Sequence, residues 1–190
     1  HRIEVYAVAV IELMILGFLT EGPMHGYELR RRMSQLHGFA RTISDGTMYP
    51  AINRLIAAGA ITQDLQPGSG AAQRRVLELT DAGRATLQAR LRDAGGHDIT
   101  DGGRFFVILA FLSLLPDRRE RDAVLQRRLE FLTAPVSFFA DGERSLTADE
   151  VGDRYRRGIF VSARASNTAE RAWLRDELAA SAAADTSEKV

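Results

Sequence analysis

Ser44-Asp45-Gly46-Thr47-Met48-Tyr49-Pro50-Ala51-Ile52-Asn53-Arg54-Leu55 reads as a short helix with an apolar side and a polar side. At about 100° per residue, Met48, Ile52, Leu55 and Ile56 fall together, while Gly46, Pro50, Asn53 and Arg54 fall opposite, with Thr47 and Tyr49 on the flanks. The outward set is rich in groups that hydrogen-bond phosphates and base edges. The helix is expected to begin between Ser44 and Thr47. With Thr47 as its cap, Pro50 falls in the first turn, where its missing N–H would have had no intrahelical partner.

Outward from this helix, apolar positions 8, 11, 15, 18 and 19 keep helical spacing until Gly22-Pro23 ends the run. A second helix is expected from Gly26 to Leu36, with Tyr27, Leu29, Met33 and Leu36 inward, Arg30, Arg31 and Arg32 spread around the outer arc, and Gly38 as its stop. Gly59 closes the third helix. Ile61 to Leu65 and Arg75 to Leu79 then read as two strands around a Gly-rich turn, a hairpin wing. Thr80-Asp81 caps a fourth helix to about Arg92, with Leu87 and Leu91 inward. Helix, turn, helix and wing follow in order.

Three blocks resemble the DNA-binding domain of the PadR family of transcriptional regulators over about Ile15 to Leu91. They are Ile15-Leu16-Gly17-Phe18-Leu19 with Gly22-Pro23-Met24-His25-Gly26-Tyr27-Glu28-Leu29, then Gly46-Thr47-Met48-Tyr49-Pro50 with Asn53-Arg54-Leu55, then Leu79-Thr80-Asp81-Ala82-Gly83-Arg84. The family usually has a tyrosine where Leu77 stands. The resemblance implies a mainly α protein with a small β-hairpin wing, in which a winged helix-turn-helix precedes a helical dimerisation domain. The implied domains are 1–94 for DNA binding, 104–182 for dimerisation and effector binding, and 183–190 as a tail, while the four glycines of 95–103 read as a linker or a helix break between the halves.

In a helix-turn-helix the recognition helix enters the major groove and its neighbours hold the backbone. Asn53 is suited to an adenine edge and Arg54 to a guanine edge or phosphate, with Tyr49 and Ser44 suited to phosphate oxygens beside Thr47 and Pro50. The resemblance adds His25 and Tyr27 as backbone contacts at a helix N-terminus. Arg74 and Arg75 flank the wing tip, and strand alternation gives them opposite faces, so one of them reaches the duplex. The expected partner is double-stranded DNA carrying an inverted repeat.

The second half differs in character. Phe105, Phe106, Leu109, Leu112 and Leu115 form an apolar helix ended by Pro116, and Asp117-x-x-Glu120 opens another carrying Val124, Leu125, Leu129 and Leu132, interrupted by Pro135 and Asp141-Gly142. Thr147-x-x-Glu150 is a capping box expected to open a helix running past Leu178. Along that helix Tyr155, Ile159, Ser162, Ser166, Ala169 and Trp173 recur at alternating four and three, the expected homodimer seam. Family members are commonly repressors released by a small aromatic effector, and Phe105, Phe106 and Trp173 are the candidate contacts among aromatics that also include Phe111, Phe131, Phe138, Phe139, Tyr155 and Phe160.

Composition bounds the alternatives. Twenty-five basic and 25 acidic residues balance to zero, net +2 up to Gly95 and −2 beyond it, so DNA contact must come from a local cluster rather than overall charge. With no cysteine, disulfides, thiolate zinc sites and cysteine nucleophiles are excluded. The four histidines show no paired spacing with carboxylates, so neither metal nor cofactor is expected, and no constellation supports an enzyme. The apolar run Val5 to Leu19 holds Glu12 and is too short to span a membrane; a cytoplasmic protein is expected. The competing reading is a winged-helix interaction or ligand-sensing module that does not read DNA, and zero net charge with the missing wing tyrosine at Leu77 is its support.

Overall fold

The computed structural model describes residues 2–36, 43–66, 74–134, 140–141 and 143–187. The expected stop at Gly38, the wing tip 67–73, and the breaks at Pro135 and Gly142 lie outside them. The chain divides into two compact units, one through Pro116 and one from Asp117.

In the first unit, α1 (Arg2–Leu19) is the axle. Seven successive residues, Ile11 to Gly17, are buried, and α1 packs against α2 (Gly26–Leu36), α3 (Asp45–Ala57), α4 (Asp81–Arg92) and α6 (Gly102–Phe111). A stretch of helix buried nearly all round, as Ile11 to Gly17 is, needs partners on every side. Three antiparallel strands complete the winged domain: β1 (Met24–His25), β2 (Ile61–Gln66) and β3 (Arg74–Leu79), in the order β1-β3-β2. Ile61 pairs with Leu79 and Gln66 with Arg74, so the expected hairpin is present.

The end of α3 and the start of α4 are locked together. Gly59, at φ +69°, takes the left-handed conformation after α3; its N–H donates to the Ile56 carbonyl and the Ala60 N–H to the Leu55 carbonyl, both at 2.9 Å, which closes a Schellman cap. Thr80 Oγ1 accepts from the Gly83 N–H at 3.0 Å and donates toward the Gly59 carbonyl at 2.7 Å. Gly83 is required by space, because a Cβ there would lie 1.9 Å from the Ala60 carbonyl oxygen. The Leu79-Thr80-Asp81-Ala82-Gly83 block is therefore a structural clasp.

Three expectations are corrected. Helix α3 starts one turn earlier than a Thr47 cap would have it, with Ser44 at its N-cap, so Pro50 lies inside the helix and forfeits the bond to the Gly46 carbonyl. Tyr27 points outward, 72% exposed, because two residues along a helix from Leu29 is about 200° away, on the far side. The segment 95–103, expected as a linker or a helix break, is no bare linker but a break between α4 and α6 that contains α5 (His97–Thr100) with Ile99 buried; Asp101 then caps α6, and the unit continues to Pro116.

The second unit is a helical hairpin of α7 (Arg118–Thr133) and α8 (Arg154–Ser187), with a two-residue ladder between β4 (Ala140–Asp141) and β5 (Arg144–Ser145). The Thr147-Glu150 capping box forms but opens only a 3-10 turn, Ala148–Glu150. Glu150's carboxyl is pushed down to about 2 by the Thr147 N–H, then by Arg144 and the Thr147 hydroxyl. Asp153 is the actual cap of α8, its Oδ1 accepting from the Tyr155 and Arg156 N–H groups at 2.9 and 2.8 Å. Helix α8 has 34 residues, about 50 Å at 1.5 Å per residue. Among the described residues, no helix is long and apolar enough to cross a membrane.

Candidate nucleic-acid interface

Met48, Ala51, Ile52 and Leu55 bury one side of α3. That leaves Gly46, Pro50, Asn53 and Ala57 exposed on the opposite side, with Asn53 the one long polar side chain at its centre. Tyr49 and Arg54 lie on the two flanks, and the flanks differ. The Tyr49 flank is open: the ring is 46% exposed, and its hydroxyl lies 3.5 Å from where a Cβ on Gly26 would stand, at the start of α2. The Arg54 flank is tied down, since Nε of Arg54 donates to Oε1 of Glu12 at 2.8 Å.

On the Tyr49 side lies a groove of about 550 Å³ whose walls include His25, Tyr27, Tyr49, Gln63, Arg75 and Leu77. It joins the N-terminal end of α2, one flank of α3, and both wing strands. His25 is fixed there: Nδ1 lies 3.2 Å from the Arg75 carbonyl, which can only accept, so the proton sits on Nδ1. Tyr27 is 72% exposed, and the Arg30 guanidinium lies 5.9 Å from its ring centroid while donating to Asp45 at 2.5 Å. That ion pair joins the first turn of α3 to α2. Arg32 turns the other way, to Glu28 at 2.7 Å and to Glu21; the Glu28 hydrogen bond is the main reason its guanidinium is held above the ordinary arginine range. Arg31, whose Nη2 lies 3.9 Å from the same Glu28 oxygen, shares that partner with Arg32, while Arg30 alone reaches α3.

At the head of α3, Ser44 Oγ and Thr47 Oγ1 lie 2.9 Å apart, both exposed, and Ser44 makes no side-chain cap bond to the helix. N–H groups of the first turn with no side-chain cap favour an anion. In the wing, Arg75 is exposed, and Arg74 stands at the first residue of β3, its side chain outside the described residues. Leu77 is 2% exposed, paired with Met24 on one side and Gln63 on the other, so the position that usually carries the family's tyrosine here feeds the core.

Two side chains of the site were not foreseen. Gln63 lines the groove, and strand alternation from buried Ile61 would have placed it on that face. Glu12 is a carboxylate in an apolar run, a pattern that demands a partner without naming it. The effector candidates are spread out. Phe105 is wholly buried as core of the first unit, Phe106, about 100° further round α6, is exposed, and Trp173 is partly exposed on α8; Phe138 and Phe139 lie outside the described residues.

The site carries hydrogen-bond donors, a phenol pair and a cation around an exposed amide. It holds no nucleophile–base arrangement among the described residues. Comparisons with known proteins agree with a role in binding rather than chemistry. Residues 15–89 match the family described as "Transcriptional regulator PadR-like family". A transcriptional regulator of Mycobacterium tuberculosis is 38% identical over 79 residues, 42% of this chain and 70% of that protein. Among solved structures, a transcriptional regulator of Thermoplasma acidophilum has 29% identity and a TM-score of 0.42, covering 47% of this chain and 82% of its own. Bacillus subtilis PadR, in complex with operator DNA, has 20% identity and a TM-score of 0.44, covering 90% of this chain and 97% of its own.

Proposed function

The chain belongs to the PadR-like family of transcriptional regulators, not of enzymes, and from that premise we propose that it is a homodimeric, sequence-specific DNA-binding repressor released by a small aromatic effector. The observation that carries the DNA reading is the exposed Asn53 at the centre of α3, flanked by Tyr49 and by the groove where Tyr27, Gln63 and Arg75 converge. In the proposed pose α3 enters the major groove. Asn53 meets a base edge, Tyr49, Tyr27 and the Ser44–Thr47 pair meet phosphates, Pro50 lies against the groove floor, and the wing brings Arg74 or Arg75 to the flanking backbone. His25 holds the wing strand against α2 from within.

The dimer is supported by the α8 seam. Tyr155, Ile159, Ser162, Ser166, Ala169 and Trp173 are all exposed, while Leu174, Ala163, Asn167 and Glu170 face inward, so the seam is not used within its own hairpin. A self-complementary stripe brings two identical copies together about a two-fold axis. Proposed domain roles follow: DNA binding by the winged part through residue 94, and dimerisation and effector binding by the helices of 104–182, with Phe106 and Trp173 each taken separately as a candidate effector contact. The effector acts by changing the angle between the two winged domains.

In vitro selection by the purified protein from a random duplex pool tests this. The expected product is an inverted repeat with half-sites about one turn, roughly 10 base pairs, apart, bound with a steep salt dependence. A pool that enriches no sequence would favour the interaction-module reading instead.

A further inference from the structure

Glu12 is 8% exposed within α1, and Ile11, Leu13, Met14, Ile15 and Leu16 around it are buried hydrophobics. Its two oxygens diverge. Oε1 accepts from Arg54 Nε at 2.8 Å, and Oε2 accepts from Arg90 Nη2 at 2.9 Å. One carboxylate therefore ties α1 to both α3 and α4. The two arginine side chains are 45% and 37% exposed. A carboxylate withdrawn from water toward two part-solvated cations is a weak source of stability, because desolvation offsets much of the attraction. What it supplies is geometry.

Arg54 follows Asn53 in sequence, on the flank of α3 away from Tyr49, and Nε capture orients its planar guanidinium. Fixing that head also fixes the roll of α3 against α1, because the side chain is anchored at both ends. We propose that Glu12 is a positioning residue for operator recognition: it holds Arg54 and the roll of α3 so that Asn53 and Arg54 meet the duplex in one pose, and its charge keeps Arg54 from seeking phosphates of any sequence. The inference rests on the DNA-reading function proposed above. It gives the buried Glu12 carboxylate of α1 a role in specificity.

The test measures binding of wild type, Glu12→Gln, Arg54→Lys and Asn53→Ala to the selected operator and to a scrambled duplex, by fluorescence anisotropy at two salt concentrations, with thermal melts alongside. Glu12→Gln is expected to lower the operator-over-scrambled ratio about tenfold, operator affinity falling while scrambled affinity holds or rises with the released charge. Arg54→Lys, at a part-exposed position that tolerates the change, is expected to lower the ratio similarly, since an ammonium keeps the charge without the planar fork; it decides the matter if Glu12→Gln melts early. A ratio unchanged in Arg54→Lys, or Glu12→Gln weakening both duplexes equally, overturns the proposal, and Asn53→Ala still lowering the ratio would leave the DNA reading intact. A wild type with no preference overturns both.

Discussion

The two units solve the burial problem differently. The first surrounds α1 with helices and closes its edge with a three-stranded sheet, so nearly every apolar residue from Ile11 to Leu19 finds cover within the chain. The second is a hairpin of two helices, and two helices can cover only the sides that face each other. Its inner face uses Val124, Leu125, Leu132 and Leu174 together with a bidentate pair between Arg128 and Glu170, while Tyr155, Ile159, Val161 and Trp173 remain outside. A self-contained unit can present polar side chains to DNA, whereas a hairpin with an uncovered apolar stripe is suited to bind its own copy. On the function proposed above, recognition falls to the first unit and assembly to the second.

The largest expected effect strikes the second unit. Glu170→Ala removes the bidentate carboxylate that faces Arg128, whose side chain is 4% exposed, and should cost about 3–4 kcal/mol in chemical denaturation followed by Trp173 fluorescence. Loss of only a few tenths would mean that the hairpin's ion pair is incidental to its packing. In the first unit, Gly83→Ala forces a Cβ against the Ala60 carbonyl and should cost about 3 kcal/mol, read as a lower melting temperature with reduced operator affinity. Thr80→Ala removes the α4 cap and its bonds to the Gly59 and Ala60 carbonyls, for about 1–2 kcal/mol in the same assay. An unchanged melt in both would break the claim that this clasp sets the winged unit's stability.

The smallest effect is one of pH. Glu150's folded-state value of about 2 lies below its ordinary 4.5, so its contribution to the turn before α8 is present above 4.5 and lost as pH falls through about 2. An NMR titration of the Glu150 carboxyl should find its midpoint near the lower figure, with the Thr147 amide following it. A midpoint at the ordinary value would remove the capping box.

Much of the winged unit was legible because its signals are local. The 3.6-residue period of α3 separates Asn53 from Ile52, Gly59 marks a left-handed cap, and Thr80 reads as an N-cap at sight. The same period places Tyr155, Ile159, Ser162, Ser166, Ala169 and Trp173 together along α8, where all six are exposed. Misplacements came where one local rule was weighed without its competitor. Tyr27 was grouped with Leu29 by chemistry although helical geometry separates them. The Thr147 box was given α8 although Asp153, six residues on, makes the stronger cap. Pro50 was set in the first turn because that is its cheapest place, yet Ser44 starts the helix earlier. The Glu12–Arg54 contact spans 42 residues and no periodicity announces it.

Hydroxyl-radical footprinting of the dimer on its selected operator, with Asn53→Ala in parallel, goes most directly to the claim that α3 reads DNA from a symmetric pair. The account predicts two protected patches, related by the operator's two-fold axis and about 10 base pairs apart, that fade in the variant at protein concentrations saturating for wild type. A single asymmetric patch, or protection unaltered by Asn53→Ala, would contradict it.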